Sequence, residues 1–173
     1  HDNEGYKQVW DGMNYADRVK MPVLWLSWPL DAHFPPGCQA EHYRKTPGPR
    51  MVSLISKMGH SHPAGWNPPD SYAFAKSVVE TGKPWGSSPS ATTKDGHAIA
   101  VFHSVKPLTR AVLVSTTDKG FTGTRKWVET PAAAASGGGG TTASAPLPPG
   151  TTAWYINAYA DKLTLSTDYQ EIK

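Results

Sequence analysis

The sequence has a single cysteine, no long apolar run and no cluster of like charges. Because a disulfide needs two thiols, Cys38 cannot form one within the chain, and we expect it to be an ordinary, non-catalytic thiol. No apolar stretch approaches the roughly 18 residues that predict a membrane span, so we expect no membrane partner. The net charge is +3 and the Lys and Arg residues are scattered, whereas nucleic-acid-binding proteins carry a basic face or stripe. We therefore expect no nucleic-acid partner.

The start of the chain lacks two further features. It begins with His1 rather than Met, and no secretory signal pattern of basic, apolar and small residues follows. We therefore expect a processed, fragmentary or split chain that has lost any targeting segment.

The remaining composition is that of a globular protein with two segments of different texture. Residues 1–83 alternate short apolar runs with helical patterns, whereas residues 84–173 are rich in Thr, Ser, Val and aromatics separated by turn residues. The stretch 82–90, rich in Gly, Pro and Ser, reads as a linker between them. We predict two domains, with bounds 1–83 and 84–173.

The first segment predicts an α/β arrangement. The apolar runs 22–28 and 50–57 are typical of strands buried on both faces. Helices are predicted over 38–43 and 71–81, with Gly82 ending the second. Because strand and helix alternate twice, we predict a parallel α/β sheet.

The second segment predicts a small antiparallel β-sandwich of the immunoglobulin or fibronectin-III-like kind. Turn residues separate five candidate strands, over 97–105, 109–117, 124–130, 151–160 and 163–172. The alanine and glycine run 132–140 is predicted to be a mobile hairpin loop.

An acid and a histidine follow the two predicted strands of the first segment. Asp31 comes after the first strand and His60 after the second. The carboxyl ends of parallel strands are where α/β folds place catalytic groups, and an acid there can orient an imidazole and stabilise its charged form. We predict Asp31 as the acid and His60 as the general base, with His62 as the alternative base. This order is that of the last two triad members in serine hydrolases on α/β sheets.

Two other chemistries use the same residues. The stretch Gly59-His60-Ser61-His62-Pro63 partly imitates the nucleophile elbow G-x-S-x-G, which would make Ser61 the nucleophile, although a proline replaces the last glycine. Alternatively, His60 and His62 with Asp31 or His33 could bind zinc, but a third firm ligand is missing. No phosphate loop or dinucleotide fingerprint is present. We expect no metal and no cofactor.

The chain resembles a known family over nearly its whole length. Residues 20–83 resemble the C-terminal half of acetyl-xylan-esterase-like and dienelactone-hydrolase-like α/β hydrolases, and residues 84–173 resemble the β-sandwich often appended to them. The resemblance is carried by 20–25, Asp31, 48–50, 58–62, 65–66, 72–75, 148–152 and 165–169.

This resemblance implies a serine carboxylic-ester hydrolase, with Asp31 as the triad acid and His60 or His62 as the base. In the family the nucleophilic serine and the oxyanion hole precede the acid, so both would lie outside this chain. We therefore expect an isolated chain without activity, completed by an N-terminal half that carries the serine, or by self-association. The resemblance also implies a secreted or periplasmic protein and includes carbohydrate-linked esters among the expected substrates.

Two non-catalytic functions remain open. Aromatic side chains of the second segment could stack on sugar rings and make a glycan-binding module, namely Trp127, Trp154, Tyr155 and Tyr159. Alternatively, the chain could be a structural or assembly module derived from a hydrolase, in which Asp31 and His60 have no chemical role.

Overall fold

The computed structural model describes residues 4–172. The first segment contains strands β1 and β2, helices α1 to α4 and two short 3-10 helices, Gly12–Asn14 and Ala16–Arg18. In chain order the longer elements are α1 Glu4–Trp10, β1 Val23–Ser27, α2 Pro36–Lys45, β2 Arg50–Leu54, α3 His62–Trp66 and α4 Pro69–Thr81.

The described part of the second segment, residues 84–172, contains nine strands and one 3-10 turn, Thr122–Thr124. The strands are β3 Gly86–Ser87, β4 Thr92–Lys94, β5 His97–Ser104, β6 Arg110–Thr116, β7 Val128–Gly137, β8 Gly140–Pro146, β9 Ala153–Ala160, β10 Leu163–Ser166 and β11 Gln170–Glu171. Their order is β10-β9-β6-β7-β8-β5-β3, with β4 also on β5 and β11 also on β9, and every pair is antiparallel.

The prediction of a parallel α/β-hydrolase sheet followed by a small antiparallel β-sandwich is wrong, because the protein is mostly antiparallel β and its strands β3 to β11 form one nearly closed, barrel-like sheet. Among residues 4–172, parallel pairing is confined to β1 and β2, five residues each. The alternation of strand and helix is a local feature of one β-α-β unit, and it does not specify that further parallel strands follow. The longer antiparallel sheet of the second segment dominates the fold instead.

Residues 132–140 lie in a hairpin, as predicted, but most of them are strand residues and the prediction of a mobile loop is wrong. Residues 128–132 of β7 pair with β6, and residues 133–137 pair with β8, so this strand connects two parts of the sheet. Gly138 and Gly139 form the turn between β7 and β8, with φ angles of 59° and 85°. Positive φ at both positions is what a tight two-residue hairpin requires, and glycine supplies it without strain. The glycines therefore mark a specific turn rather than disorder.

The hydrophobic core extends across both segments. Met51 of β2 belongs to the same buried cluster as Trp85, Phe102 and Trp154 of the second segment. Trp85 lies in the stretch predicted as a linker, yet only 1% of its surface is exposed. Burying an indole ring here brings the two segments into one packed interior.

The outer edge of β2 is covered by side chains instead of another strand. Ser88 Oγ accepts the Val52 N–H at 2.6 Å, and Ser166 Oγ accepts the Leu54 N–H at 2.8 Å. Asn157 Nδ2 completes the edge by donating to the Leu54 carbonyl at 2.9 Å. These contacts satisfy backbone groups that would otherwise be buried without partners.

A buried carboxylate links α4 to β10. Asp70 lies in the first turn of α4 and is almost fully buried, and its Oδ1 accepts the Thr164 N–H at 2.7 Å. Burial raises the pKa of Asp70, and the hydrogen bond from the Thr164 N–H offsets this only in part. The neutral carboxyl is therefore favoured in the folded protein more than in the unfolded chain.

We expect the wild-type protein to lose stability as pH rises, and we expect Asp70→Asn to abolish this pH dependence. Because the native pKa lies above the ordinary value of 3.8, the free energy of unfolding should fall as pH rises from that value through the native pKa. Asn keeps an oxygen for the Thr164 N–H but cannot ionise. Urea unfolding at several pH values should show a stability difference between variant and wild type that grows with pH.

The matched control is Asp161→Asn, because Asp161 is exposed in the turn between β9 and β10, at a φ of 54° that Asn also tolerates. A stability difference between Asp70→Asn and wild type that stays constant with pH would contradict the prediction.

Candidate active site

The parallel pairing of β1 and β2 places Asp31 and His60 at the same end of this small sheet. A turn after β1, closed by the Asp31 N–H donating to the Trp28 carbonyl at 3.0 Å, directs the carboxylate toward the loop after β2. Asp31 Oδ2 lies 2.9 Å from His60 Nδ1. The two residues singled out from the sequence therefore contact each other directly.

Asp31 uses its other carboxylate oxygen to fold its own loop. Oδ1 accepts the N–H groups of His33 at 3.0 Å and Phe34 at 2.9 Å. Burial alone would raise the pKa of Asp31, but the hydrogen bonds from His60, Phe34 and His33 outweigh it and hold the pKa below its ordinary value. The folded protein therefore favours the ionised carboxylate.

His60 lies in the loop between β2 and α3, directly after Gly59, whose φ is +78°. Its side chain is 41% exposed. Since the ionised Asp31 accepts at Nδ1, the neutral ring carries its proton there and leaves Nε2 as the acceptor. Among residues 4–172, His60 makes its one side-chain hydrogen bond to Asp31.

An open cleft of about 570 Å³ adjoins the Asp31–His60 pair. Its walls come from β1, from the loop before α2 and α2 itself, and from the loop that carries His60. The lining residues are Trp25, Leu26, Ser27, Asp31, Phe34, Gln39, His42, Met58, Gly59, His60, Ser61, His62 and Gly65. An imidazole acceptor beside a mainly apolar cleft can remove a proton from a nucleophile and protonate a leaving group.

The structure does not bring the alternative base to the acid. His62 begins α3, and its ring stacks on Trp66 with centroids 5.6 Å apart. The Asp31 oxygens are occupied by His60 and by two backbone N–H groups. The geometry therefore favours His60 over His62 as the partner of Asp31.

Ser61 has a structural role in this arrangement. Its Oγ accepts the Ala64 N–H at 3.2 Å and caps α3, with an extended backbone at φ −162°. A metal site is not formed either: within residues 4–172, no three His, Cys, Asp or Glu side chains converge to hold an ion.

The loop that carries His60 is connected to the second segment by hydrogen bonds, and no local sequence motif predicts this connection. Ser56 Oγ donates to Glu129 Oε1 of β7 at 2.5 Å, and Trp28 Nε1 donates to the Ser56 carbonyl at 3.0 Å. These contacts join residues 28, 56 and 129, which are far apart in sequence, so only the tertiary structure shows them.

The aromatic residues considered for sugar stacking do not form an exposed platform. Trp154 and Tyr155 are buried in the two core clusters, and Trp127 packs against Tyr155 with ring centroids 5.7 Å apart. Arg110 covers the Tyr159 ring, with its guanidinium carbon 4.0 Å from the ring centroid. Stacking on a sugar needs an accessible ring face, so these four residues do not favour a glycan-binding surface.

Across residues 4–172, no helix is long and apolar enough to cross a membrane.

Comparison with known proteins adds no family to this description. No protein-family model matches the chain, and no curated protein matches it.

Proposed function

We propose that this chain supplies the acid and the base of a serine carboxylic-ester hydrolase. The observation that carries the proposal is the 2.9 Å contact between Asp31 Oδ2 and His60 Nδ1 at the edge of an open cleft. The resemblance to acetyl-xylan-esterase-like and dienelactone-hydrolase-like proteins supports the ester class, and a secreted or periplasmic location and carbohydrate-linked substrates rest on that resemblance alone.

The nucleophile in this proposal belongs to a polypeptide segment outside the 173 residues. Within residues 4–172, no serine hydroxyl hydrogen-bonds to His60, and Ser27 and Ser61, which line the cleft, have their hydroxyl oxygens engaged by Gln39 and Ala64. The oxyanion hole would come from the same external segment, since both groups must surround the reacting carbonyl.

The chemistry follows from the roles of the two side chains. His60 Nε2 takes the hydroxyl proton as the serine oxygen attacks the ester carbonyl, and Asp31 stabilises the imidazolium that forms. The tetrahedral intermediate collapses, His60 returns the proton to the departing alcohol, and an acyl-serine remains. Water then attacks the carbonyl of the acyl-serine while His60 takes a proton from the water. His60 returns this proton to the serine oxygen, and the carboxylic acid product leaves.

The open edge of β1 supports the idea that another segment binds beside this pair. The Val23 N–H donates to Pro49, and the Ser27 carbonyl accepts from Ile55, so these alternate residues face β2. Leu24 and Leu26 therefore direct their backbone groups away from β2, and Leu26 lines the cleft. A strand that paired there in parallel would end beside the Asp31–His60 pair.

Helix α4 also has an exposed apolar face. Helix α4 packs against β1, and its residues Tyr72 and Val79 are exposed to solvent. An open sheet edge and an exposed apolar helix face together favour a partner that adds both a strand and a packed helix.

The proposal is tested by comparing the chain alone with material purified from its native source together with its co-purifying chains. We expect no hydrolysis of p-nitrophenyl acetate or acetylated xylan by the isolated chain, and turnover by the native assembly. A fluorophosphonate probe followed by peptide mass spectrometry should label a serine in the co-purifying chain. Ser61→Ala should leave activity and labelling unchanged. Turnover by the isolated chain, or labelling of Ser61, would contradict the proposal.

A further inference from the structure

We propose that His33 and Phe34 are positioning residues that hold the ring plane of His60. The inference rests on the proposed function only in that the orientation of His60 matters for catalysis if His60 is the base. The orientation itself can be measured in the isolated chain.

The need for such support follows from the setting of His60. A single hydrogen bond to Asp31 fixes the position of Nδ1 but leaves the ring able to rotate about that contact. The side chain is 41% exposed, so packing against the surrounding protein confines it little. A further contact must therefore fix the plane of the His60 ring if Nε2 is to point in one direction.

Two consecutive rings provide that plane. The His33 and His60 rings have centroids 4.6 Å apart and an interplanar angle of 30°. The Phe34 ring lies 5.7 Å from the same imidazole at an angle of 27°. Both separations lie in the range of attractive offset stacking between aromatic rings.

The two rings are themselves held through their backbones. Asp31 Oδ1 accepts the N–H groups of both His33 and Phe34, and Gln39 Nε2 donates to the Phe34 carbonyl at 2.5 Å and to Ser27 Oγ at 2.6 Å. Asp31 thus hydrogen-bonds to the imidazole with one carboxylate oxygen, and with the other it holds the backbone of the two residues whose rings stack on that imidazole. Gln39, which lies in α2, holds the backbone of Phe34 through this carbonyl contact.

The stack also suits the charge that His60 acquires during turnover. A cation within about 6 Å of an aromatic centroid is attracted by the ring face, and Phe34 lies within that distance. Phe34 is 61% exposed, so its phenyl ring contributes little to core burial and can be changed without emptying the interior. This makes Phe34 the residue to vary.

The first measurement is the proton and nitrogen NMR spectrum of the His60 ring in the isolated chain. We expect Phe34→Leu to move the His60 carbon-bound ring protons downfield, because the shielding by the phenyl face is lost. The Nδ1–H signal should broaden as exchange with water increases. Phe34→Tyr should restore the wild-type spectrum, and Tyr72→Leu, which removes a similarly exposed aromatic ring on α4, should leave it unchanged.

The second measurement is ester turnover by the native assembly rebuilt with each variant. Phe34→Leu should lower kcat by roughly 3- to 10-fold with little change in KM, since the ring acts through His60 rather than through substrate binding. An unchanged His60 spectrum or an unchanged kcat for Phe34→Leu would overturn the inference while leaving the proposed function intact. Loss of the proposed function would show differently, as full turnover by His60→Ala.

Discussion

Asp31→Asn should lower kcat of the completed hydrolase by about 10⁴-fold while the chain stays folded. The Asn side-chain oxygen can still accept the His33 and Phe34 N–H groups, so the loop keeps its shape. Its NH₂ group, however, would face His60 Nδ1 where Oδ2 now lies. A donor there forces the imidazole proton onto Nε2, which then cannot accept a proton from the nucleophile. The expected loss corresponds to about 5.5 kcal/mol in the activation barrier.

Two measurements check this prediction. The rate of ester hydrolysis by the native assembly gives kcat, and nitrogen NMR of the isolated chain reports which ring nitrogen carries the proton. Asp95→Asn, in the turn between β4 and β5, is the matched control and should behave as wild type. Undiminished turnover by Asp31→Asn would contradict its role as the acid and favour a structural or assembly module.

The second large effect concerns stability. Trp85→Ala should lower the free energy of unfolding by about 3–5 kcal/mol, the usual range for truncating a buried Trp. The indole N–H has no hydrogen-bond partner in the part of the chain that the structure describes, so the loss arises from the cavity and from exposed apolar surface. Trp85 belongs to the cluster that contains Met51 as well as Phe102 and Leu113, so the cavity would weaken both segments together.

Urea unfolding followed by circular dichroism measures this effect. We expect one cooperative transition in wild type and one in Trp85→Ala, shifted to lower urea. Trp66→Ala is the control, because Trp66 is 66% exposed and its removal should change stability by no more than about 0.5 kcal/mol. Two separate transitions, of which Trp85→Ala shifts only one, would show that residues 1–83 and 84–173 fold independently.

The sequence predicted the contact between Asp31 and His60 because its causes are local. Each residue follows a short apolar strand, and the ends of neighbouring parallel strands meet at one edge. The same rule could not separate His60 from His62, since both lie in the same loop. The stacking of His62 on Trp66 and the cap formed by Ser61 favour His60 as the partner of Asp31, and both depend on where α3 begins.

The fold class could not be predicted in the same way. What covers the outer edge of β2 is a set of side chains from Ser88, Asn157 and Ser166, which are distant in sequence and carry no pairing motif. The contacts of Asp70 with β10 are of the same long-range kind. A short β-α-β unit is compatible with many sheets, so the remaining strands had to come from tertiary structure.

Helix α4 shows why an apolar stripe can mislead. The helical period of the sequence places Tyr72, Ala75, Val78 and Val79 on one face, but Ala73 and Phe74 are the residues that pack against the core. Tyr72 and Val79 are exposed instead. The helix carries apolar residues on two faces, and periodicity alone does not identify which of them faces this chain's own interior.

The covered edge of β2 also limits how chains can join. Side chains already occupy that edge, so a further strand can extend the two-stranded sheet only at β1. Growth by pairing copies of this chain therefore ends after a single step. Two copies joined through β1 would form a closed, two-fold symmetric pair and not an open filament, because neither copy presents a second edge of this sheet for a third.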